Sequence, residues 1–318
     1  MPLLAAATSA DKSTEAIAGA PAAARRVPVA AVVLTFNEEL NLEACLRSLS
    51  GWVQELYVVD SGSTDATLDI ARRHGAQVLT HPFETHARQW QWALAQLPAS
   101  AEWVLALDAD QSVTPELSEA IAALIVSAGP AVNGAFVRRR QVFRGRFIRH
   151  GGYYPKYLLK LFRRSAVWMD AGDLVDHHFR VHGETVLVPH DIVEDNRNEA
   201  SIAAWTAKHN RYASLQAREE LARLRAPLAP GLRPSLFGSP DERILWLKRH
   251  WASLPLYWRP VLYFLYRYVV RLGFLDGKQG FIFHVLQGFW YRLLVDINLD
   301  ELRQAGASAR EQGRPNRS

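Results

Sequence analysis

The sequence predicts an α/β fold, an open and mostly parallel sheet flanked by helices, followed by a C-terminal helical region. Three observations carry this. From residue 27 to about residue 110, short β-rich apolar runs alternate with segments of helical period, the pattern of repeated strand–helix–strand units. Residues 103–107 are five consecutive apolar residues, as suits a strand covered on both faces. Three of the runs end in polar clusters, Thr35-Phe36-Asn37-Glu38, Asp60 and Asp108-Ala109-Asp110, and open sheets of this class bind ligands beyond the carboxyl ends of their strands.

Taken in order, residues 29–34 form the first strand, and Leu42, Cys45, Leu46 and Leu49 give the next segment helical spacing. Residues 56–59 form a second strand that stops at Asp60. Ser61-Gly62-Ser63-Thr64-Asp65 then turns into a helix reaching about His74, with Ser63 or Thr64 as its N-cap and Gly75 as its stop. A third strand over 76–79, a third helix over 85–97 and a fourth strand ending at Asp108 complete the series.

Composition bounds the function. The 318 residues carry 37 Lys and Arg against 32 Asp and Glu, a formal charge of +5, and the arginines crowd between Arg138 and Arg149. Such local fields attract phosphates or anionic membrane surfaces, and no nucleic-acid-binding motif accompanies them. The single cysteine, Cys45, excludes an internal disulfide and a cysteine-rich zinc site. Residues 1–26 read as a disordered leader without a basic region ahead of an apolar core, which is not a secretory signal. No stretch of 18 apolar residues lacks a charge, so no simple transmembrane helix is expected.

Asp108 and Asp110 lie two apart, so in an extended segment both carboxylates leave the same side. They repel one another unless a cation intervenes, and a divalent metal bridging to a diphosphate answers that need with hard oxygen ligands. A dinucleotide site would show glycines after the first strand. This chain has none there, and a carboxylate at Glu38 would repel a pyrophosphate.

The blocks Val32-Val33-Leu34-Thr35-Phe36-Asn37-Glu38-Glu39, Val58-Val59-Asp60-Ser61-Gly62-Ser63-Thr64-Asp65 and Leu107-Asp108-Ala109-Asp110 resemble the three signature blocks of family-2 inverting glycosyltransferases in order and spacing. Gly273-Phe274-Leu275-Asp276-Gly277 followed by Gly280 resembles the subgroup that builds lipopolysaccharide core or exopolysaccharide. The resemblance implies a nucleotide-sugar-binding fold, a UDP-linked donor and Mg²⁺ or Mn²⁺. It implies that Thr35, Asn37 and Glu38 line the nucleotide pocket, that Asp60 hydrogen-bonds the base, that Asp108 faces ribose and metal, and that Asp110 ligates the metal. For Asp60 a turn-capping role is the alternative.

Arg88 is a candidate for the basic phosphate- or base-facing residue that relatives carry near the third helix, and a solvated helix position is equally open to it. The strand-like run 157–162 ends in Arg163 and Arg164, and Arg164 is a candidate for holding diphosphate or a phosphorylated acceptor. An inverting transfer needs a base for the acceptor hydroxyl. Relatives show a Val-His-Glu-like motif where this chain reads Val175-Asp176-His177, which points to Asp176, with Asp173 in reserve and His177 as the other possibility. The histidines His177, His178, His182 and His190 lack zinc spacing.

Residues 201–225 read as a helix, so a glycosyltransferase domain is expected over 27–225. Residues 226–240, rich in proline and glycine, read as a linker. Residues 241–302 combine aromatics with Lys and Arg, as suits helices lying at a bilayer interface, and 303–318 read as a disordered tail. The expectation is a peripheral protein of the cytoplasmic face of the inner membrane, transferring sugar to a lipid-linked or saccharide acceptor. Transfer to a polyisoprenyl phosphate, or a non-catalytic membrane scaffold, are the alternatives.

Overall fold

A computed structural model describes residues 26–169, 178–225, 235, 237, 246–247, 249–251 and 253–312. Its centre is a sheet in the order β3-β2-β1-β4-β8-β6-β11-β5. These strands are β1 (Val27–Thr35), β2 (Val53–Asp60), β3 (Gln77–Thr80), β4 (Trp103–Asp108), β5 (Gln111–Val113), β6 (Val132–Phe143), β8 (Lys156–Arg163) and β11 (Glu184–Glu194). The short β7 (Arg146–Phe147) pairs with β6, while β9 (Val167–Trp168) and β10 (Arg180–Val181) form a separate ribbon. β3, β2, β1 and β4 run parallel. β8 then runs antiparallel between β4 and β6, and β11 returns parallel to β6. The sheet is mixed but mostly parallel, as the sequence predicts.

Alternation along the strands sorts side chains to two faces. Val29, Ala31 and Val33 of β1, with Leu105 and Leu107 of β4, pack with α1 (Leu42–Leu49) and α4 (Pro115–Ser127) on one side. Ala30, Val32, Val104 and Ala106 meet Trp90, Ala93 and Leu94 of α3 (His86–Gln96) on the other. At about 1.5–3 kcal/mol for each large side chain fully buried, this double coverage fixes which residues of β1 and β4 point where. The expected N-cap of α2 (Thr67–Arg73) is displaced: Asp65 Oδ1 accepts from the Thr67 amide at 3.0 Å, and the helix begins after that turn.

Beyond β11, a 3₁₀ turn (Arg197–Glu199) leads into α5 (Ile202–Arg225), the helix expected over 201–225. The C-terminal region has α6 (Trp258–Leu265), extended by the π-helical Tyr266–Val270, then a 3₁₀ turn (Gly273–Asp276). Next come α7 (Gly277–Phe283), a π-helical stretch (His284–Trp290) and α8 (Tyr291–Gln312). α5 packs on α8 through Ala213, Ala217, Tyr291, Val295 and Leu299. Residues 303–312, expected as tail, are helical as the continuation of α8. The leader and most of the 226–240 linker lie outside the described residues.

The Gly273–Gly280 block does structural work. Asp276, almost fully buried, accepts from the His150 amide at 2.9 Å and from His150 Nδ1 at 2.7 Å. A Cβ at Gly273 or at Gly151 would collide with the buried ring of His284. Both positions therefore admit only glycine without rearrangement, and Gly151 also has φ +70°.

Arg259 is buried and joined by Nε to Asp296 at 2.6 Å and by Nη1 to Glu220 at 2.7 Å. It thereby ties α6 to α8 and α5. Removing the guanidinium leaves two carboxylates without their cation, so Arg259→Ala should cost about 3–5 kcal/mol, measured by urea unfolding. An unchanged midpoint would show that the ion triad does not hold these helices.

Candidate active site

The register of the parallel strands places the polar ends side by side. Thr35 of β1 pairs with Asp60 of β2, Asp60 with Thr80 of β3, and Leu34 with Asp108 of β4. The three predicted clusters therefore lie along one edge. Their side chains take different parts. Asp60 is fully buried. Its Oδ2 accepts from the Gly62 and Ser63 amides, both at 2.8 Å, and its Oδ1 from Thr35 Oγ1 at 3.1 Å and from Ser63 Oγ. It holds the 61–65 loop, the turn role, and a base could reach it only by displacing one of these donors. Thr35 is likewise buried against it.

Asn37 adopts φ 55°, a left-handed conformation that asparagine tolerates better than most residues. Its Oδ1 accepts from the Thr64 amide at 2.8 Å, and its own amide donates to Ser63 Oγ at 2.8 Å. Glu38 Oε2 accepts from Asn41 Nδ2 at 2.6 Å and from Asn198 Nδ2 at 3.0 Å. Asn198 also donates to the Asn37 carbonyl, so the chain after β11 closes over the end of β1. Burial, reinforced by the charges of Asp108 and Asp65, pushes the Glu38 carboxyl up despite the bond from Asn41.

At the end of β4, Asp108 Oδ2 accepts from Lys160 Nζ at 3.0 Å. Lys160 is almost fully buried, on β8. Asp110, half-buried, is held well above the usual carboxylate range by burial first, then by the charges of Glu194, Asp108 and Glu38, with Lys208 of α5 opposing. Glu194 accepts from Gln111 Nε2 at 3.0 Å and pairs with Arg139 at 3.3 Å. For Lys208, burial lowers the ammonium pKa, but Glu199, Tyr212 and Asp110 outweigh it and hold the amine above its ordinary range. Four carboxylates thus converge where the local charge favours an added cation.

Among the described residues, no three His, Cys, Asp or Glu side chains close into a ready-made metal shell. The donor set nevertheless fits a hard divalent ion held by one or two carboxylates and completed by substrate phosphates. Asp108 and Asp110 are the residues that would hold it.

Two predicted site residues fall elsewhere. Arg164 is at the opposite edge: β8 runs antiparallel to β4, so Arg163 pairs with Trp103 at the start of β4. Arg164 instead donates to the Leu97 carbonyl at 2.9 Å. The same reversal brings Lys160 to the acidic end, a residue sequence reasoning missed although a lone lysine inside the apolar run 157–162 is a signal for a buried charge needing a partner. Arg88 takes its solvated role, exposed and paired with Glu84 one turn away. Its neighbour Gln89 turns inward, its Nε2 donating to Ser61 Oγ and to the His81 carbonyl, each at 3.2 Å. Asp173 and Asp176 lie outside the described residues. Beside the acidic cluster, at the ends of β6 and β11, Asp191 accepts from Arg138 Nε at 2.9 Å, Arg140 Nη2 at 2.5 Å and Tyr154 Oη at 3.0 Å.

A carboxyl whose pKa is raised by folding binds its proton more tightly in the native chain than in the unfolded one. Its unfavourable contribution is absent below the unfolded value of about 3.9 and grows as pH rises toward the folded value. Asp110→Asn should therefore raise the melting temperature of the metal-free protein by a few degrees at neutral pH, with the gain closing as pH falls through the carboxylate range. A loss of stability at neutral pH would contradict this electrostatic reading.

The glycosyl transferase family 2 model matches residues 30–181, which contain all three strand-end clusters. A lipopolysaccharide core biosynthesis glycosyltransferase of Rhizobium meliloti is 26% identical over 287 residues, 85% of this chain and 91% of that protein. An uncharacterized glycosyltransferase of Rickettsia bellii is 32% identical over 99 residues, 31% of this chain. The match spans about a third (33%) of that relative's length. Among solved structures, glucosyl-3-phosphoglycerate synthase from Mycobacterium tuberculosis in complex with Mn²⁺ and UDP-glucose is 19% identical, with a TM-score of 0.43 over 69% of this chain and 85% of that one. The family match lies over the parallel half of the sheet and its acidic edge, so residues 30–181 carry a region that matches glycosyl transferase family 2, and the chain is similar to a lipopolysaccharide core glycosyltransferase.

Proposed function

We propose that this protein is a metal-dependent inverting glycosyltransferase. It moves a sugar from a UDP-linked donor to a lipopolysaccharide-core or exopolysaccharide-type lipid-linked acceptor, at the cytoplasmic face of the inner membrane. The observation that carries the reading is the convergence of Asp108, Asp110, Glu38 and Glu194 beyond the carboxyl ends of strands in a family 2 domain. The similarity to the Rhizobium meliloti protein supports the acceptor class.

In this reading Asp108 and Asp110 hold Mg²⁺ or Mn²⁺, which supplies positive charge to the diphosphate as it departs. Lys160, 3.0 Å from Asp108, fixes the orientation of that carboxylate. Asn37 and Glu38 shape the nucleotide end of the cleft, and Asp60 and Thr35 act through the loop they hold. The acceptor oxygen forms its bond to the anomeric carbon as the bond to the diphosphate breaks, and the hydroxyl proton passes to a carboxylate. Asp176 is the residue proposed for that proton, with Asp173 in reserve.

Asp110→Ala should reduce sugar transfer by at least about 10²–10³-fold, the scale for losing one electrostatic stabiliser, while far-UV circular dichroism stays that of the wild type. Asp176→Asn should also lower kcat while leaving the Mn²⁺-dependent thermal shift with UDP-sugar intact. Full transfer activity in Asp110→Ala would rule out the metal reading, whereas an Asp110→Ala chain that still complements a deletion strain would favour a non-catalytic scaffold.

A further inference from the structure

The C-terminal segment 258–281 leaves a long apolar face without a partner among the described residues. Trp258, Leu262, Leu265 and Val269 recur at i, i+4, i+7 and i+11, one side of a helix, and all are about half exposed or more, Trp258 at 66%. Val270, at 67%, and Leu275, at 50%, carry the face past the bend. These are large side chains in sequence-contiguous array, unlike the scattered apolar residues of an ordinary surface.

Away from its Trp258 end, where Tyr257 bonds Asp300, the charge around this face is cationic. Within 258–281 the residues charged at neutral pH are Arg259, Arg267, Arg271 and Lys278 against Asp276. Asp276 is buried on His150, and Arg259 is buried on Asp296 and Glu220. What reaches solvent is cationic: Arg271 and Lys278, joined by Arg144, Arg146 and Arg149 of the adjoining turn around β7, all exposed.

That turn is fixed to the helices. Gly151 donates to the Arg271 carbonyl at 2.9 Å, Arg267 Nη1 donates to the Gly151 carbonyl at 2.7 Å, and His150 is held by Asp276. Three residues on, Tyr154 bonds Asp191 at the carboxyl edge of the sheet. The apolar face, the basic turn and the rim of the cleft are one connected unit.

We propose that this face and its basic margin lie on an anionic phospholipid bilayer, holding the rim of the cleft toward the lipid so that a lipid-linked acceptor enters from the membrane; the orientation rests on the acceptor reading above. No helix among the described residues is long and apolar enough to cross a membrane, so the contact is interfacial, with aliphatic and aromatic side chains in the headgroup region and guanidinium groups on phosphates. A second copy of the chain fits the face less well, because a two-fold contact would bring the same cationic margins together.

The test is co-sedimentation of the full chain with phosphatidylcholine vesicles, with and without phosphatidylglycerol. The wild type should bind the phosphatidylglycerol vesicles, with affinity falling as salt rises. Val270→Ser combined with Leu275→Ser should weaken binding at least about tenfold, and Arg146→Glu combined with Arg149→Glu should remove the preference for anionic lipid. Binding that survives the apolar pair overturns the proposal. So does equal binding to both vesicle types, or a wild-type dimer in sedimentation equilibrium that the apolar pair dissolves. A UDP-sugar and Mn²⁺ thermal shift, present in wild type and apolar pair alike, keeps the two readings apart. Its absence from the wild type counts against the transferase and leaves the vesicle result to decide the docking surface.

Discussion

The in-register pairing of β2, β1 and β4 is the constraint from which the site follows. Once Asp60 stands beside Thr35 and Asp108 beside Leu34, carboxylates from several parts of the chain must share one small volume. Folding brings them together through the apolar strands behind them, and electrostatics resists. The protein answers with bonds from Thr35, Ser63 and Asn198 and with the cations Lys160 and Lys208. Burial and the remaining repulsion still push Asp110 and Glu38 up. A site that stabilises its own charge incompletely is one that gains from a divalent ion and a diphosphate.

Local chemistry was legible in the sequence wherever it was written locally. The clusters after β1, β2 and β4 follow directly from buried runs that end in polar residues, and parallel topology brings such ends together. The placements that failed depend on longer-range facts. Arg164 and Lys160 exchange importance because β8 runs against β4, a direction that residues 157–164 do not declare. Arg88 and Gln89 differ by one helical step of about 100°, enough to separate a solvated arginine from a glutamine bonded to Ser61. Asp60 was visible as a strand-end carboxylate, but its burial depends on the 61–65 loop folding back on it. The helical character of 303–312 comes from continuation of a helix already packed on α5.

The C-terminal region is joined to this site by polar contacts at defined points. Asp276 holds His150, Arg267 holds Gly151, and Tyr154 reaches Asp191. The glycines of the 273–280 block matter here because the His284 ring occupies the space a side chain would need. That buried ring, with its pKa lowered to about 4 by burial, is neutral at physiological pH and packs as an aromatic wedge between Tyr153 and Tyr268. The block that resembles the lipopolysaccharide core subgroup is thus the piece that fastens an exposed apolar hairpin to the edge of the transfer domain.

The most direct test of the central claim is a crystal structure of the protein soaked with Mn²⁺ and UDP, with the metal located by anomalous scattering. The account predicts an anomalous peak within coordination distance of an Asp108 or Asp110 carboxylate and of the diphosphate. A nucleotide bound elsewhere, or a metal coordinated without either aspartate, would contradict it.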